Sequence, residues 1–85
     1  MPKIEIYTKQ TCPYCVRAKQ LLDQKKVKYL EIRVDENPQD LEMMLLRAEW
    51  RRTVPQIFIN DRGIGGCDDL YALEQAKKLD ALLNV

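Results

Sequence analysis

Cys12 and Cys15 stand three positions apart in the run Cys12-Pro13-Tyr14-Cys15. At the start of a helix that spacing brings two sulfurs to one face, one turn apart, where they close a disulfide with little movement of the backbone. Pro13 suits the first turn of a helix, because the N–H it lacks would have no partner there. The two cysteines differ in their electrostatic surroundings. Cys12 precedes the helix, beside unpaired N–H groups and the positive end of the dipole, whereas Cys15 lies inside the first turn. Such a site lowers a thiol pKa from about 8.5 into roughly the 3.5–7.5 range. Lys9 adds positive charge in the preceding loop. The expected chemistry is thiol–disulfide exchange, in which Cys12 attacks and leaves as a thiolate and Cys15 resolves the mixed disulfide.

Composition narrows the alternatives. The chain has no histidine, which excludes Ser–His, Cys–His and histidine–zinc sites within it. Its third cysteine, Cys67, leaves an odd count that suits neither a disulfide framework nor a closed four-thiolate metal site; no metal is expected. Fourteen basic and 13 acidic residues give a net charge of +1, which argues against nucleic acid as a partner. Arg47, Arg51 and Arg52 around Trp50 read as a solvated face. No apolar run approaches the ~18–20 residues of a membrane span, and Met1-Pro2-Lys3-Ile4-Glu5 shows no basic segment leading into an apolar one. The expectation is a single soluble domain over residues 1–85, cytoplasmic and monomeric.

The elements that must hold the two cysteines are legible in outline. Lys3-Ile4-Glu5-Ile6-Tyr7 alternates as a short strand does. Cys15, Ala18 and Leu22 form a helical stripe that fades at Gln24-Lys25-Lys26. Val27 to Val34 reads as a second strand, and Asn37-Pro38 opens a helix carrying Leu41, Met44, Leu45 and Ala48. Gln56-Ile57-Phe58-Ile59 is a strand after Pro55, Asn60-Asp61-Arg62-Gly63 a turn, and Ile64 the start of a return strand. Gly65-Gly66 ends it. Asp68 and Asp69 fit a helix N-terminus, and a last helical segment carries Leu79, Leu82 and Leu83. The order β-α-β-α-β-β-α predicts an α/β protein of thioredoxin-like fold, a mixed four-stranded sheet with helices on both faces.

Three segments resemble one family. Tyr7-Thr8-Lys9-Gln10-Thr11-Cys12-Pro13-Tyr14-Cys15 is similar to the active-site segment of dithiol glutaredoxins. Thr53-Val54-Pro55-Gln56-Ile57-Phe58-Ile59 and Ile64-Gly65-Gly66-Cys67-Asp68-Asp69-Leu70 are similar to two further segments of that family, in family order. The resemblance spans nearly the whole chain, and the short bacterial dithiol members are the most similar. It implies glutathione as co-substrate, with glutathionylated or disulfide-containing proteins as partners and ribonucleotide reductase conceivable among them. It also implies a site. Lys9 would meet the glycine carboxylate of glutathione, with Arg51 or Arg52 as helpers, and the Tyr14 ring would pack over the peptide. Thr53-Val54-Pro55 would carry a cis bond that turns the Val54 N–H and C=O towards glutathione's cysteine. Gly66, Cys67, Asp68 and Asp69 would take the zwitterionic end, backbone N–H groups on the carboxylate and Asp69 on the ammonium; the aspartates equally suit plain helix capping.

Some positions depart from the family pattern. Val16 stands where some short members carry histidine, and Ala48-Glu49-Trp50-Arg51-Arg52 is bulkier and more basic than expected there. Trp50 fits either a core position or an exposed contact for a protein partner. Cys67 suits packing better than an oxidation-prone site. Two rival functions remain open. One is a redoxin recharged by a flavin reductase as donor to ribonucleotide reductase, disfavoured by Gly65-Gly66-Cys67-Asp68-Asp69. The other is carriage of an iron–sulfur cluster between Cys12 and glutathione across a dimer, disfavoured by Pro13.

Overall fold

Ile4-Glu5-Ile6-Tyr7-Thr8 forms the first strand, and all five of its residues are buried. In the computed structural model, which describes residues 2–84, this strand has neighbours on both sides. The elements run β1 (Ile4–Thr8), α1 (Pro13–Gln24), β2 (Leu30–Arg33), α2 (Pro38–Arg47), β3 (Gln56–Ile59), β4 (Arg62–Gly65), α3 (Cys67–Gln75) and α4 (Leu79–Leu83). The sheet order is β2-β1-β3-β4. β1 pairs parallel with β2, Ile6 opposite Glu31, and antiparallel with β3, Ile6 opposite Ile57. β3 and β4 close an antiparallel hairpin. This is the thioredoxin-like arrangement that the element order predicts.

Each face of the sheet covers its own core. Ile4, Ile6, Ile57 and Ile59 pack on one side with Ala18, Leu21 and Leu22 of α1, Leu70 of α3 and Leu79 and Leu83 of α4. Tyr7 and Phe58 pack on the other with Met44, Leu45 and Ala48 of the α2 segment. Burying a leucine such as Leu22 contributes about 2–3 kcal/mol. Glu5 shares the Tyr7 side of the pleat, and α2 brings it a partner. Arg47 Nη2 lies 2.9 Å from Glu5 Oε1, Nη1 donates to the Tyr7 hydroxyl at 3.0 Å, and the guanidinium stacks 4.1 Å from the Phe58 ring centre. That is why an alternating strand is buried on both faces.

The helix ends follow local chemistry. Asn37 caps α2 by accepting the Gln39 N–H at 2.9 Å, with Pro38 at the first helical position. Lys25 Nζ joins the end of α1 to α3 and α4 through Glu74 at 2.8 Å and Asp80 at 2.7 Å. Two boundaries differ from the sequence reading. The second strand is four residues long, Leu30–Arg33, because only these face β1, and Val27 and Tyr29 instead pack against the core from outside the sheet. The hairpin turn contains only Asn60 and Asp61, whose positive φ values of 51° and 66° suit a two-residue connection. β4 therefore starts at Arg62, ahead of Ile64.

Candidate active site

The strand β1 delivers the chain to the first cysteine through a short anchored loop. The Gln10 N–H donates to Asp35 Oδ2 at 3.2 Å, and Arg33 holds Asp35 from the other side through two contacts of 2.8 and 2.7 Å. The Arg33 guanidinium keeps the Asp35 carboxyl well below the usual carboxylate range. Thr11 takes a left-handed φ of 57°, and Cys12 follows in extended backbone as the N-cap of α1. Cys12 and Cys15 are joined in a disulfide, their Cα atoms 5.2 Å apart. The Cys15 N–H donates to Cys12 Sγ at 3.1 Å. Cys15 is buried, whereas Cys12 is half-buried and open to an incoming sulfur. The more accessible of the two sulfurs is thus also the one beside the helix N-terminus, where a thiolate is favoured.

Beside Cys12 runs a groove of about 180 Å³. One wall is Thr53-Val54-Pro55, whose Val54–Pro55 bond is cis. The Val54 carbonyl oxygen lies 3.9 Å from Cys12 Sγ. Tyr14, more than half exposed, lines it as well. The opposite wall is Gly66, Cys67, Asp68 and Asp69 at the start of α3, with Arg51 beside them. Asp69 Oδ2 accepts the Gly66 N–H at 2.9 Å, and Arg51 Nη2 stands 3.8 Å from the same oxygen. Gly65 has φ +108°, and a Cβ there would run into the Asp69 carboxylate. The turn thus needs glycine so that Asp69 can reach back over it.

Eight of the residues expected to touch substrate share this groove: Tyr14, Thr53, Val54, Pro55, Gly66, Cys67, Asp68 and Asp69. Lys9 does not. It lines a second groove of about 310 Å³ on the face bounded by Cys12, Cys15, Lys19, Glu31 and Arg33. Of the two arginines considered as helpers, Arg51 lines the first groove and Arg52 lines neither. Cys67 is buried at the first helical position of α3, and burial pushes its thiol up, which keeps it protonated and packed. Trp50 is exposed, which rules out the core placement.

One positioning residue escapes a sequence reading. Gln56 is buried, and its amide donates to the Thr53 carbonyl at 3.0 Å and to the Thr53 hydroxyl at 3.1 Å, bracing the groove wall. The available signal is a lone amide at the head of the apolar run Ile57-Phe58-Ile59. Among the described residues no group of three His, Cys, Asp or Glu side chains is placed to hold a metal ion, and no helix is long and apolar enough to cross a membrane.

A cysteine pair at the N-terminus of the first helix, on this sheet, defines a thiol–disulfide oxidoreductase of thioredoxin-like fold. Comparison with known proteins narrows the class. The glutaredoxin family model matches residues 4–64, and the chain belongs to the glutaredoxin family. It is 55% identical over 83 residues to glutaredoxin 3 of Escherichia coli, covering 98% of this chain and 99% of that one. A probable glutaredoxin of Synechocystis is 59% identical over 81 residues, 95% of this chain and 74% of that protein. A buckwheat glutaredoxin–glutathione complex superposes with a TM-score of 0.87 at 33% identity, covering 98% of this chain and 77% of that one.

Proposed function

We propose that this protein is a glutathione-dependent reductase of disulfides and glutathione mixed disulfides, acting as a single-domain monomer in the cytoplasm. The observation that carries the reading is the groove between Thr53-Val54-Pro55 and Gly66–Asp69, opening beside Cys12. Its backbone edge at Val54 suits the peptide of glutathione's cysteine. The α3 N-terminus offers N–H groups to a carboxylate, and the Asp69 carboxylate offers an anionic partner to an ammonium. The buckwheat protein of the same fold is a glutaredoxin–glutathione complex, which supports glutathione as the ligand of this one. A reducing compartment suits a dithiol that must return to its reduced form after each cycle.

On a glutathionylated protein, the Cys12 thiolate attacks the glutathione sulfur, and the protein sulfur leaves as a thiolate that takes a proton. A second glutathione thiolate then attacks the sulfur of the glutathione held on Cys12. That step releases oxidised glutathione and restores the Cys12 thiolate. On a protein disulfide, Cys12 takes one sulfur into a mixed disulfide. The Cys15 thiolate attacks Cys12 Sγ, and the protein leaves with both sulfurs reduced. Two glutathione molecules return the Cys12–Cys15 disulfide to the dithiol.

Steady-state reduction of a glutathionylated thiol tests this against the redoxin recharged by a flavin reductase. Turnover is expected with glutathione and its reductase as donor, and none with thioredoxin reductase in their place. The reverse pattern overturns the proposal.

A further inference from the structure

Two grooves approach the cysteine pair, and the charges that line them are opposite in sign. The groove proposed for glutathione is lined by one cation, Arg51, and two carboxylates, Asp68 and Asp69. The second groove, of about 310 Å³, is lined by three cations, Lys9, Lys19 and Arg33, and one carboxylate, Glu31. The whole chain carries a net charge of only +1, so the contrast is local. The grooves differ also in their relation to the reacting pair. Both Cys12 and Cys15 line the second groove, whereas neither lines the first.

The cations of the second groove are not equally engaged. Lys19 Nζ lies 3.0 Å from Glu31 Oε2, an oxygen that also accepts the Thr8 hydroxyl at 2.7 Å. Arg33 Nη2 lies 2.7 Å from Asp35 Oδ2. Lys9 is exposed and forms no ion pair among the described residues. It is the charge of this groove left for an outside partner. An unpaired lysine on an open surface would mean little, but Lys9 lines the same concave wall as both members of the cysteine pair. A polypeptide advances only about 3.3 Å per residue when extended. If its cysteine is joined to Cys12 on this side, the residues next to that cysteine meet the basic wall.

We propose that the groove lined by Lys9, Cys12 and Cys15 receives an acidic segment of a polypeptide disulfide substrate, with Lys9 pairing to a carboxylate beside the reacting cysteine. The proposal rests on the disulfide-reductase reading of the site and names the substrate chemistry that this reading left open. The Cys12 thiolate attacks one sulfur of the polypeptide disulfide, and the other sulfur leaves as a thiolate and takes a proton. The Cys15 thiolate then attacks Cys12 Sγ and releases the second polypeptide thiolate. The polypeptide disulfide is reduced by two electrons, and the dithiol becomes the Cys12–Cys15 disulfide seen in the structure. Lys9 takes no part in these transfers. It selects which chain is presented to Cys12, and the acidic groove on the other side is left to glutathione.

The test is a single-turnover reaction of the pre-reduced protein with three cyclic peptide disulfides that carry Glu, Gln or Lys beside both cysteines. No glutathione is present, so its outcome is independent of the glutathione reading, which the steady-state donor assay tests separately. At low ionic strength the wild type is expected to reduce the Glu peptide about tenfold faster than the Lys peptide, with the Gln peptide between them. Added salt should shrink that ratio, because the contact is exposed. Lys9→Gln is expected to remove most of the preference and Lys9→Glu to invert it. Equal rates for the three peptides in the wild type overturn the proposal. A preference that survives in both Lys9 variants overturns it too, by placing the selection elsewhere. So does an equal change on all three peptides, which would mean that Lys9 acts only on the Cys12 thiolate.

Discussion

The backbone N–H of Cys15 donates to Sγ of Cys12 at 3.1 Å, while the Cys15 side chain itself is buried. One residue thus offers two separate things: a donor to Cys12 Sγ, through its backbone, and the sulfur proposed to resolve a mixed disulfide, through its side chain. Replacing the side chain leaves the donor in place. Cys15→Ser is therefore expected to keep Cys12 acidic and to keep reducing glutathione mixed disulfides, while losing most activity on protein disulfides. Cys12→Ser is expected to abolish both. A thiolate titration by ultraviolet absorbance and parallel assays on the two substrate types check this, and equal loss in both variants would sink the assigned roles.

Asp69 has a structural duty at Gly66 N–H and a charge that faces the groove. Asp69→Asn keeps an acceptor for the Gly66 N–H and removes only the charge. Asp69→Ala removes both, and losing such a cap interaction costs about 0.5–2 kcal/mol of stability. Asp69→Asn is expected to raise the KM for glutathione several-fold with little change in thermal stability. Asp69→Ala should show both effects. An unchanged response of Asp69→Asn to glutathione concentration would restrict Asp69 to capping.

Arg47 joins α2 to the centre of the sheet through Glu5, Tyr7 and Phe58, with a further contact to Asp61 at 3.3 Å. Removing the guanidinium strands a largely buried carboxylate. Arg47→Ala is expected to destabilise the fold by about 2–4 kcal/mol, and Glu5→Gln with Arg47→Ala by less than the sum of the two single changes. Urea denaturation of the wild type, the two single variants and the double variant measures the coupling. Additivity within error would mean that the pair contributes nothing.

Tyr29 donates to Asp23 Oδ1 at 3.0 Å, and burial followed by that hydrogen bond pushes its phenol up to about 12. The fold favours the protonated form. Its contribution is therefore full below the ordinary tyrosine pKa of about 10, and is lost as pH rises from there towards 12. Wild-type stability should fall across that alkaline window more steeply than that of Tyr29→Phe. Chemical denaturation at a series of alkaline pH values reads this directly, and parallel curves for the two proteins would refute it.

The reaction class was legible in the sequence because it depends on local chemistry. Cys12-Pro13-Tyr14-Cys15 sets its own helix start, and the sulfur before a helix differs from the sulfur inside it whatever else surrounds them. The α1 stripe, the Asn37 cap and the β3 run follow the same logic, since each is decided within a few residues. Family resemblance carried the reading further, to Thr53-Val54-Pro55 and Gly66–Asp69. Tertiary structure alone decided the rest. The sequence pattern of β1 is that of a strand with one dry face, yet the sheet order puts it between β2 and β3, and Arg47, 42 residues away, makes burial of Glu5 possible. Lys9 stands three residues before Cys12 and Tyr14 between the two cysteines, yet they line different grooves. Gln56 braces Thr53, and Arg51 rather than Arg52 reaches Asp69. Each of these outcomes depends on where a side chain points after distant segments have packed, and spacing along the chain does not encode that direction. For the cysteine pair itself, the helix start distinguishes the two sulfurs, and only tertiary packing brings the Val54 carbonyl to 3.9 Å from Cys12 Sγ.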